Sequence, residues 1–286
     1  MKLVLQTGSS LLEAVRVLVP GASNRTLRQL LQFGRVKLNG ETCKITGRRV
    51  APGNVVEIVP QGDSRPPVHG LRIVFEDKDI LLAEKPAGLL TVATPHEQEK
   101  TAYAYLRQYV KDRDTKQKLF VVHRLDKFAS GVLVFAKSEP VQARLKALFS
   151  SHNIQRKYWA IVEGRVEKNR GTIRSYLSEN RAMRMHSIED GSAGKEAVTH
   201  YRILRRFPQL TALEITLETG RKNQIRVHLA EMGHPIVGDR AYGSKANPMG
   251  RLGLHAFLLG FQHPMLGTPI LHRTKVPPEF ARYLPK

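Results

Sequence analysis

Cysteine is almost absent: Cys43 is the only one in 286 residues. No internal disulfide and no cysteine-built zinc site can form, a usage that fits a reducing compartment such as the cytoplasm. Long apolar runs are missing too. The longest strongly apolar stretch, Val132 to Ala136, has five residues, against the roughly 20 that cross a bilayer as a helix. Near the start, Leu3-Val4-Leu5 gives way at once to Gln6-Thr7-Gly8-Ser9, which is not the apolar core of a secretory signal. No Gly-x-x-x-x-Gly-Lys loop occurs, so the phosphate cradle of nucleotide-driven phosphoryl transfer is missing. The histidines His228, His234, His255 and His263 are spaced so that no helix-borne i, i+4 metal pair forms, and they are expected to be structural. Trp159, the single tryptophan, is expected in the core. There is no internal repeat and no low-complexity tract.

Acidic residues are the remaining shortage. Lys and Arg total 46 against 25 Asp and Glu, a formal net charge of +21. Such a balance favours a polyanionic partner, RNA or DNA above an anionic membrane. The length allows one large domain or two unequal ones.

Residues 1–60 read as a compact first unit with nine basic and three acidic residues. Ser10-Leu11-Leu12-Glu13 has the form of a capping box. Leu11, Leu12, Val15, Leu18 and Val19 follow at helical spacing until Pro20. A second helix is expected from Asn24 to Phe33, with Leu27, Leu30 and Leu31 inside, Gly34 as its cap, and Arg25, Arg28 and Gln32 outside. Arg35 follows just beyond. Val36-Lys37-Leu38 reads as a strand entering an Asn39-Gly40 turn, and Val55 to Val59 as a closing strand. Residues 61–70, rich in Pro, Gly and Ser, read as a linker. Residues 71–286 then carry strand signals at 73–75, 80–83, 158–162, 198–204 and 210–217. Helical patterns run from 141 to 149 and from 225 to 232. Many antiparallel strands with few helices predict an α+β fold. The glycine-bearing stretch containing Arg165, Lys168, Arg170, Arg174, Arg181, Arg184 and Lys195 reads as a mobile hairpin or loop region and a candidate RNA groove.

The most informative stretch is His123-Arg124-Leu125-Asp126-Lys127-Phe128-Ala129-Ser130-Gly131, leading into Val132-Leu133-Val134-Phe135-Ala136. A carboxylate entering a buried strand must be paired or used. By its residues alone, Asp126 is a candidate nucleophile, general base, metal ligand or structural ion-pair partner. The metal role is disfavoured, because no Asp-x-Asp arrangement accompanies it.

Val122 to Asp126, with Ser130-Gly131 and Phe135 to Ser138, resembles the central motif of the RluA-type pseudouridine synthases. Further signatures of that family occur in order. They are Lys85-Pro86-Ala87-Gly88; Lys157-Tyr158 with Ala160 and Gly164; Thr219-Gly220-Arg221 with Gln224 to Leu229; Gly233 to Asp239; and Arg251 to Ala256. The resemblance runs from Leu71 to Tyr283. Ala129, Asn223 and Glu84 depart from it, standing where Thr, His, and Asn or Asp are usual. Residues Ser23 to Gly40 likewise resemble the α-L type RNA-binding domain first seen in a small-subunit ribosomal protein.

The resemblance implies a mixed, mostly antiparallel catalytic sheet with flanking helices. It implies isomerisation of uridine to pseudouridine in structured RNA, most directly large-subunit ribosomal RNA, with transfer RNA open, and no cofactor and no metal. Asp126 is then the essential carboxylate, as nucleophile or as proton carrier, and whether it attacks sugar or base stays open. Arg226 pairs with it. Tyr158 stacks on the uracil, and its phenol is a candidate base for the C5 proton. Leu254 forms an apolar wall, and Arg124 holds the flipped nucleotide or its phosphate. The α-L resemblance implies RNA contacts from Arg25, Arg28 and Arg35. A monomer suffices, and no membrane is involved. The rivals are a non-catalytic ribosome-assembly factor and an RNA-cleaving enzyme.

Overall fold

The computed structural model describes residues 2–32, 36–58, 69–180, 182–189 and 191–285, the side chains of residues 2, 25, 29 and 32 excepted. Arg35, Arg181, most of the expected linker and the expected Gly34 cap lie outside the described residues, as does the Arg25 side chain. The chain divides into two compact units, Met1–Pro66 and Pro67–Lys286.

In the first unit, Ser10 caps helix α1 (Leu11–Leu18). The Ser10 backbone N–H donates to the Glu13 carboxylate at 2.8 Å, and the Glu13 N–H donates to the Ser10 hydroxyl at 3.3 Å. Two of the helix's orphan donors are thereby satisfied. Leu11 and Val15 are fully buried with Leu27 and Leu31 of α2 (Asn24–Gln32). They complete a core with Val36 and Val56. Strands β1 (Lys2–Val4), β3 (Val36–Leu38), β4 (Glu41–Thr42) and β6 (Val55–Ile58) form an antiparallel sheet in the order β1-β6-β3-β4, and β2 (Ser9–Ser10) pairs with β5 (Arg49–Val50). Asn39 and Gly40 join β3 to β4 with φ of 51° and 89°, the left-handed pair that a two-residue hairpin requires.

The second unit is built on an eleven-stranded sheet. Its strands are β7 (Arg72–Glu76), β8 (Ile80–Lys85), β9 (Phe120–Val121), β10 (Ser130–Ala136), β11 (Ile154–Glu163), β12 (Arg170–Glu179), β13 (Met185–Ile188), β14 (Lys195–Arg206), β15 (Leu210–Leu217), β16 (Leu254–Gln262) and β17 (Pro269–Arg273). Along the sheet the order is β13-β12-β14-β15-β11-β16-β10-β8-β7, with β17 on β16 and β9 on β10. Helices α3 (Ala102–Lys111), α4 (Glu139–Ser150), α5 (Gln224–Glu231) and α6 (Pro278–Ala281) flank it. Every pairing is antiparallel except β10 with β16, so the fold is α+β with a mixed sheet.

β10 is buried along its whole length, and its alternation serves two faces. Leu133 and Phe135 pack with Leu106 and Val110 of α3. Val132, Val134 and Ala136 pack with Val141 and Leu145 of α4. Each such side chain contributes about 1.5–3 kcal/mol. The parallel seam sets Gly131 beside Ala256. Gly131 has φ of 126°, and a Cβ there would stand 2.6 Å from the Ala256 nitrogen. Only glycine allows that approach.

One region departs from expectation. The stretch read as a mobile hairpin or loop forms consecutive antiparallel strands, β12 and β13, and the start of β14, so it is a hairpin within the sheet rather than a loop. Its side chains alternate between exposed and half-buried rather than polar and apolar, so the periodic signal is weak. Arg174 in this region pairs with Glu196, and the Arg184 guanidinium stands 5.0 Å over the Tyr242 ring.

Candidate active site

Asp126 opens a tight turn just before β10, closed by the Ala129 N–H donating to the Asp126 carbonyl at 3.2 Å. The backbone around it is fixed by neighbours. Thr91 donates its hydroxyl to the Leu125 carbonyl at 2.7 Å and accepts the Leu125 N–H at 3.1 Å. Lys85, 1% exposed at the end of β8, donates to the carbonyls of Lys127 at 3.1 Å and Ala129 at 2.7 Å. Its ammonium also donates to the carbonyls of Pro86 at 2.9 Å and Leu89 at 2.7 Å. Burial pulls the Lys85 pKa down to about 7, with the Asp126 charge opposing. The crowd of carbonyl acceptors favours the ammonium form.

The Asp126 side chain is 21% exposed and stands 3.5 Å from Nη1 of Arg226. Among the described residues, no hydrogen-bond donor occupies its carboxylate oxygens. Arg226, on α5, is itself held from three sides. Asp239, buried, accepts from Nε at 2.7 Å and from Nη2 at 2.8 Å. Asn223 accepts from Nη1 at 3.1 Å. The Tyr242 ring lies 4.8 Å below the guanidinium, and its hydroxyl accepts from Asn223 at 3.1 Å. Burial alone would lower the Arg226 pKa; Asp239 and then Asp126 outweigh it, and the pKa is raised. Asn223 holds φ of 53° at the start of α5, a conformation asparagine tolerates.

Tyr158 lies on β11, opposite Ala256 of β16 and Ile215 of β15. It is 7% exposed. Burial raises its phenol pKa; Arg156 opposes this and Asp126 adds to it. In the free protein at neutral pH, Tyr158 is therefore a neutral phenol.

Asp126, Arg124, Tyr158 and Leu254 line one cavity of about 590 Å³, with Ile225, Arg156 and Arg221 among its other walls. That volume suits a nucleotide-sized ligand. Arg124 is exposed, Leu254 is buried at the start of β16, and Arg226 reaches the site through its ion pair with Asp126. Arg28 is exposed on α2 of the first unit. The Arg25 side chain and Arg35 lie outside the described residues.

The departures from the family pattern have structural roles. Glu84 accepts from Arg72 at 2.6 Å and pairs with His272 at 2.8 Å. Ala129 is buried in the core. The histidines next to the site are likewise committed. His123 accepts the Val134 N–H at 3.1 Å, and burial pushes its pKa down to about 3. His255 bonds Ser130 at 2.6 Å and Thr274 at 2.7 Å; burial, then Arg251, lowers it to about 4. His263, with Asp77 and Asp79, forms a group of metal-ligating types. Both of its ring nitrogens are engaged, by Asp77 at 2.9 Å and by the N–H groups of Met265 and Leu266 at 3.2 and 3.0 Å. That group clamps a turn.

The sequence profile of the RNA pseudouridylate synthase family matches residues 79–231. The chain belongs to this family, and it is an RNA pseudouridine synthase, an isomerase. It is 32% identical over 98% of its length to "Ribosomal large subunit pseudouridine synthase D" of Yersinia pestis, covering 91% of that protein. It has the same identity and coverage of its own length with the protein of that name from Escherichia coli (strain K12), covering 90% of it. A solved structure, "Human RNA Pseudouridylate Synthase Domain Containing 4", shares the fold with a TM-score of 0.62. That match has 24% identity and covers 74% of this chain and 90% of that one.

Sequence reasoning assigned no role to Lys85, Asp239, Tyr242 or Arg156. Lys85 and Asp239 lie within motifs of the family resemblance, but their partners are backbone carbonyls and a residue 13 positions away, which no spacing rule reveals. Arg156 was accessible to reasoning: two residues before Tyr158 on a strand, it must share that residue's face.

Proposed function

We propose that Asp126 is the essential carboxylate of this synthase and that the cavity it shares with Tyr158 receives a uridine flipped out of structured RNA. The observation that carries this is the Asp126–Arg226 pair. The carboxylate faces, at 3.5 Å, a guanidinium that three neighbours orient, yet its oxygens accept no hydrogen bond within the described residues. It is positioned and free to react.

The isomerisation breaks the N1–C1′ bond, forms C5–C1′, moves the C5 proton to solvent and leaves a proton on N1. Asp126 serves it by bonding to the nucleotide or by carrying the proton. Tyr158 offers its ring to the uracil, Leu254 an apolar wall, and Arg124 a cation for the flipped nucleotide. Flipping costs a few kcal/mol, least in a loop or bulge, and phosphate contacts by a protein of net charge +21 offset it. Ribosomal RNA is the substrate that the names of the relatives support, and the basic first unit, with Arg25, Arg28 and Arg35, is the accessory RNA contact. No helix among the described residues is long and apolar enough to cross a membrane, and we place the enzyme in the cytoplasm, acting as a monomer.

The test uses RNA tritiated at uridine C5. Wild-type protein is expected to release tritium to water. Asp126→Asn is expected to release at least about 10³-fold less while binding the RNA with unchanged affinity. Equal release by the two proteins would remove Asp126 from the chemistry.

A further inference from the structure

Arg156 is unexplained by the roles above. It lies on β11, lines the same cavity as Asp126 and Tyr158, and is 7% exposed. Buried guanidinium groups ordinarily bring a carboxylate with them. Among the described residues, none lies within ion-pair distance of this one. Of its five N–H donors, one is used: Nη2 donates to the Glu218 carbonyl at 2.8 Å. Nε is buried without a partner. Nη1 lies against Gly220, so close that a Cβ at residue 220 would overlap it. The Phe149 ring, 5.3 Å from the guanidinium carbon, supports the group without neutralising it. Arg221 adds a second positive charge at the same wall and, after burial, lowers the Arg156 pKa further.

The free protein therefore keeps a charge in place that its own residues do not balance. An RNA strand carries one anionic group per nucleotide, its phosphate, and a guanidinium fork suits phosphate oxygens. A nucleotide received by this cavity, whose walls include Arg156 and Arg221, brings its flanking phosphates with it. We propose that Arg156, on the floor left open by Gly220 and flanked by Arg221, is an anion subsite that takes a backbone phosphate flanking the target uridine. This rests on the reading that the cavity receives a nucleotide of RNA.

The experiment compares the full-length wild type with Arg156→Met, Arg156→Lys and Gly220→Ala. The probes are uridine and the 5′- and 3′-monophosphates of uridine, whose affinities are measured by titration. Wild type is expected to bind one of the monophosphates at least about tenfold more tightly than uridine. Arg156→Met is expected to lose that preference while its uridine affinity and thermal midpoint stay at the wild-type level, because the Glu218 carbonyl keeps His152 as a partner and the charge removed had no carboxylate to balance it. Arg156→Lys keeps part of the preference. Gly220→Ala, at an exposed position, loses most of it by displacing Nη1. On RNA, Arg156→Met is expected to raise KM by about 10–100-fold and to reduce the log–log salt slope by about one, with kcat nearly unchanged. A monophosphate preference that survives in Arg156→Met, or in both other variants should that one fail to fold, would overturn the subsite. Absence of pseudouridine formation by the wild type would instead overturn the parent reading, and the monophosphate titrations would still decide the subsite.

Discussion

Asp126 depends on residues that never touch it. Asp239 grips Arg226 through two hydrogen bonds, so Asp239→Asn keeps the shape but removes the charge that orients the guanidinium. Its expected effect is a fall in kcat of about 10–100-fold with KM little changed, since an interaction that matters only in the transition state is weakened. Steady-state kinetics on a substrate RNA check this, and a change confined to KM would contradict it. Lys85 is the second such residue. Lys85→Met takes the ammonium donor from the carbonyls of Pro86, Leu89 and Ala129, while Lys127 keeps the Gly88 N–H, at a cost of about 2–4 kcal/mol, read by urea unfolding. A variant as stable as wild type would show that those carbonyls have other donors. Reading the sequence could single out Asp126, because a carboxylate before an apolar strand has few explanations. It could not single out Asp239 as the orienting group, since a bidentate pair across 13 residues and a turn leaves no periodic trace.

Among the elements, β10 and the parallel β10–β16 seam matter most, because they deliver the Asp126 turn and Leu254 to one place. β10 was legible: five apolar residues in a row, flanked by Ser-Gly and Lys-Ser, match a strand buried on both faces. The α1 helix was legible through its capping box. The extent of β12 and β13 was not, because strands with one face exposed and the other only half-buried carry charge where a core strand carries Val or Ile. Nor was α3, whose buried positions Ala102, Leu106 and Val110 are separated by tyrosines. Which strands run parallel was also hidden, since register across 125 residues is a tertiary property. At Gly131 the seam leaves no room for a side chain. Gly131→Ala is expected to destabilise the protein by about 3 kcal/mol or more. Gly250→Ala, with φ of 67° but open space around it, should cost about 1 kcal/mol. Chemical denaturation of the pair separates crowding from backbone strain; equal losses would contradict the seam as the cause.

At the scale of the whole molecule, charge governs both partners and stability. His123 and His255 stay neutral when folded, at about 3 and 4, whereas the unfolded chain protonates them near 6.5. Below that value the unfolded state binds more protons, so stability is greatest above about pH 6.5 and declines as pH falls toward 4. The loss expected by pH 4 is on the order of a few kcal/mol, and unfolding free energies flat between pH 7.5 and 5 would contradict it. RNA contact by the first unit is a proposal with its own test. Arg25→Glu combined with Arg28→Glu is expected to weaken RNA binding and to flatten its salt dependence by about 1–2 in log–log slope. An unchanged slope would remove that helix from the binding surface.

The most direct test of the central claim is a map of pseudouridine in ribosomal and transfer RNA from cells whose only copy of the protein is either wild type or Asp126→Asn. At least one ribosomal uridine is expected to be converted in the first and unconverted in the second. Identical maps from the two strains, with the variant supporting normal growth, would contradict it.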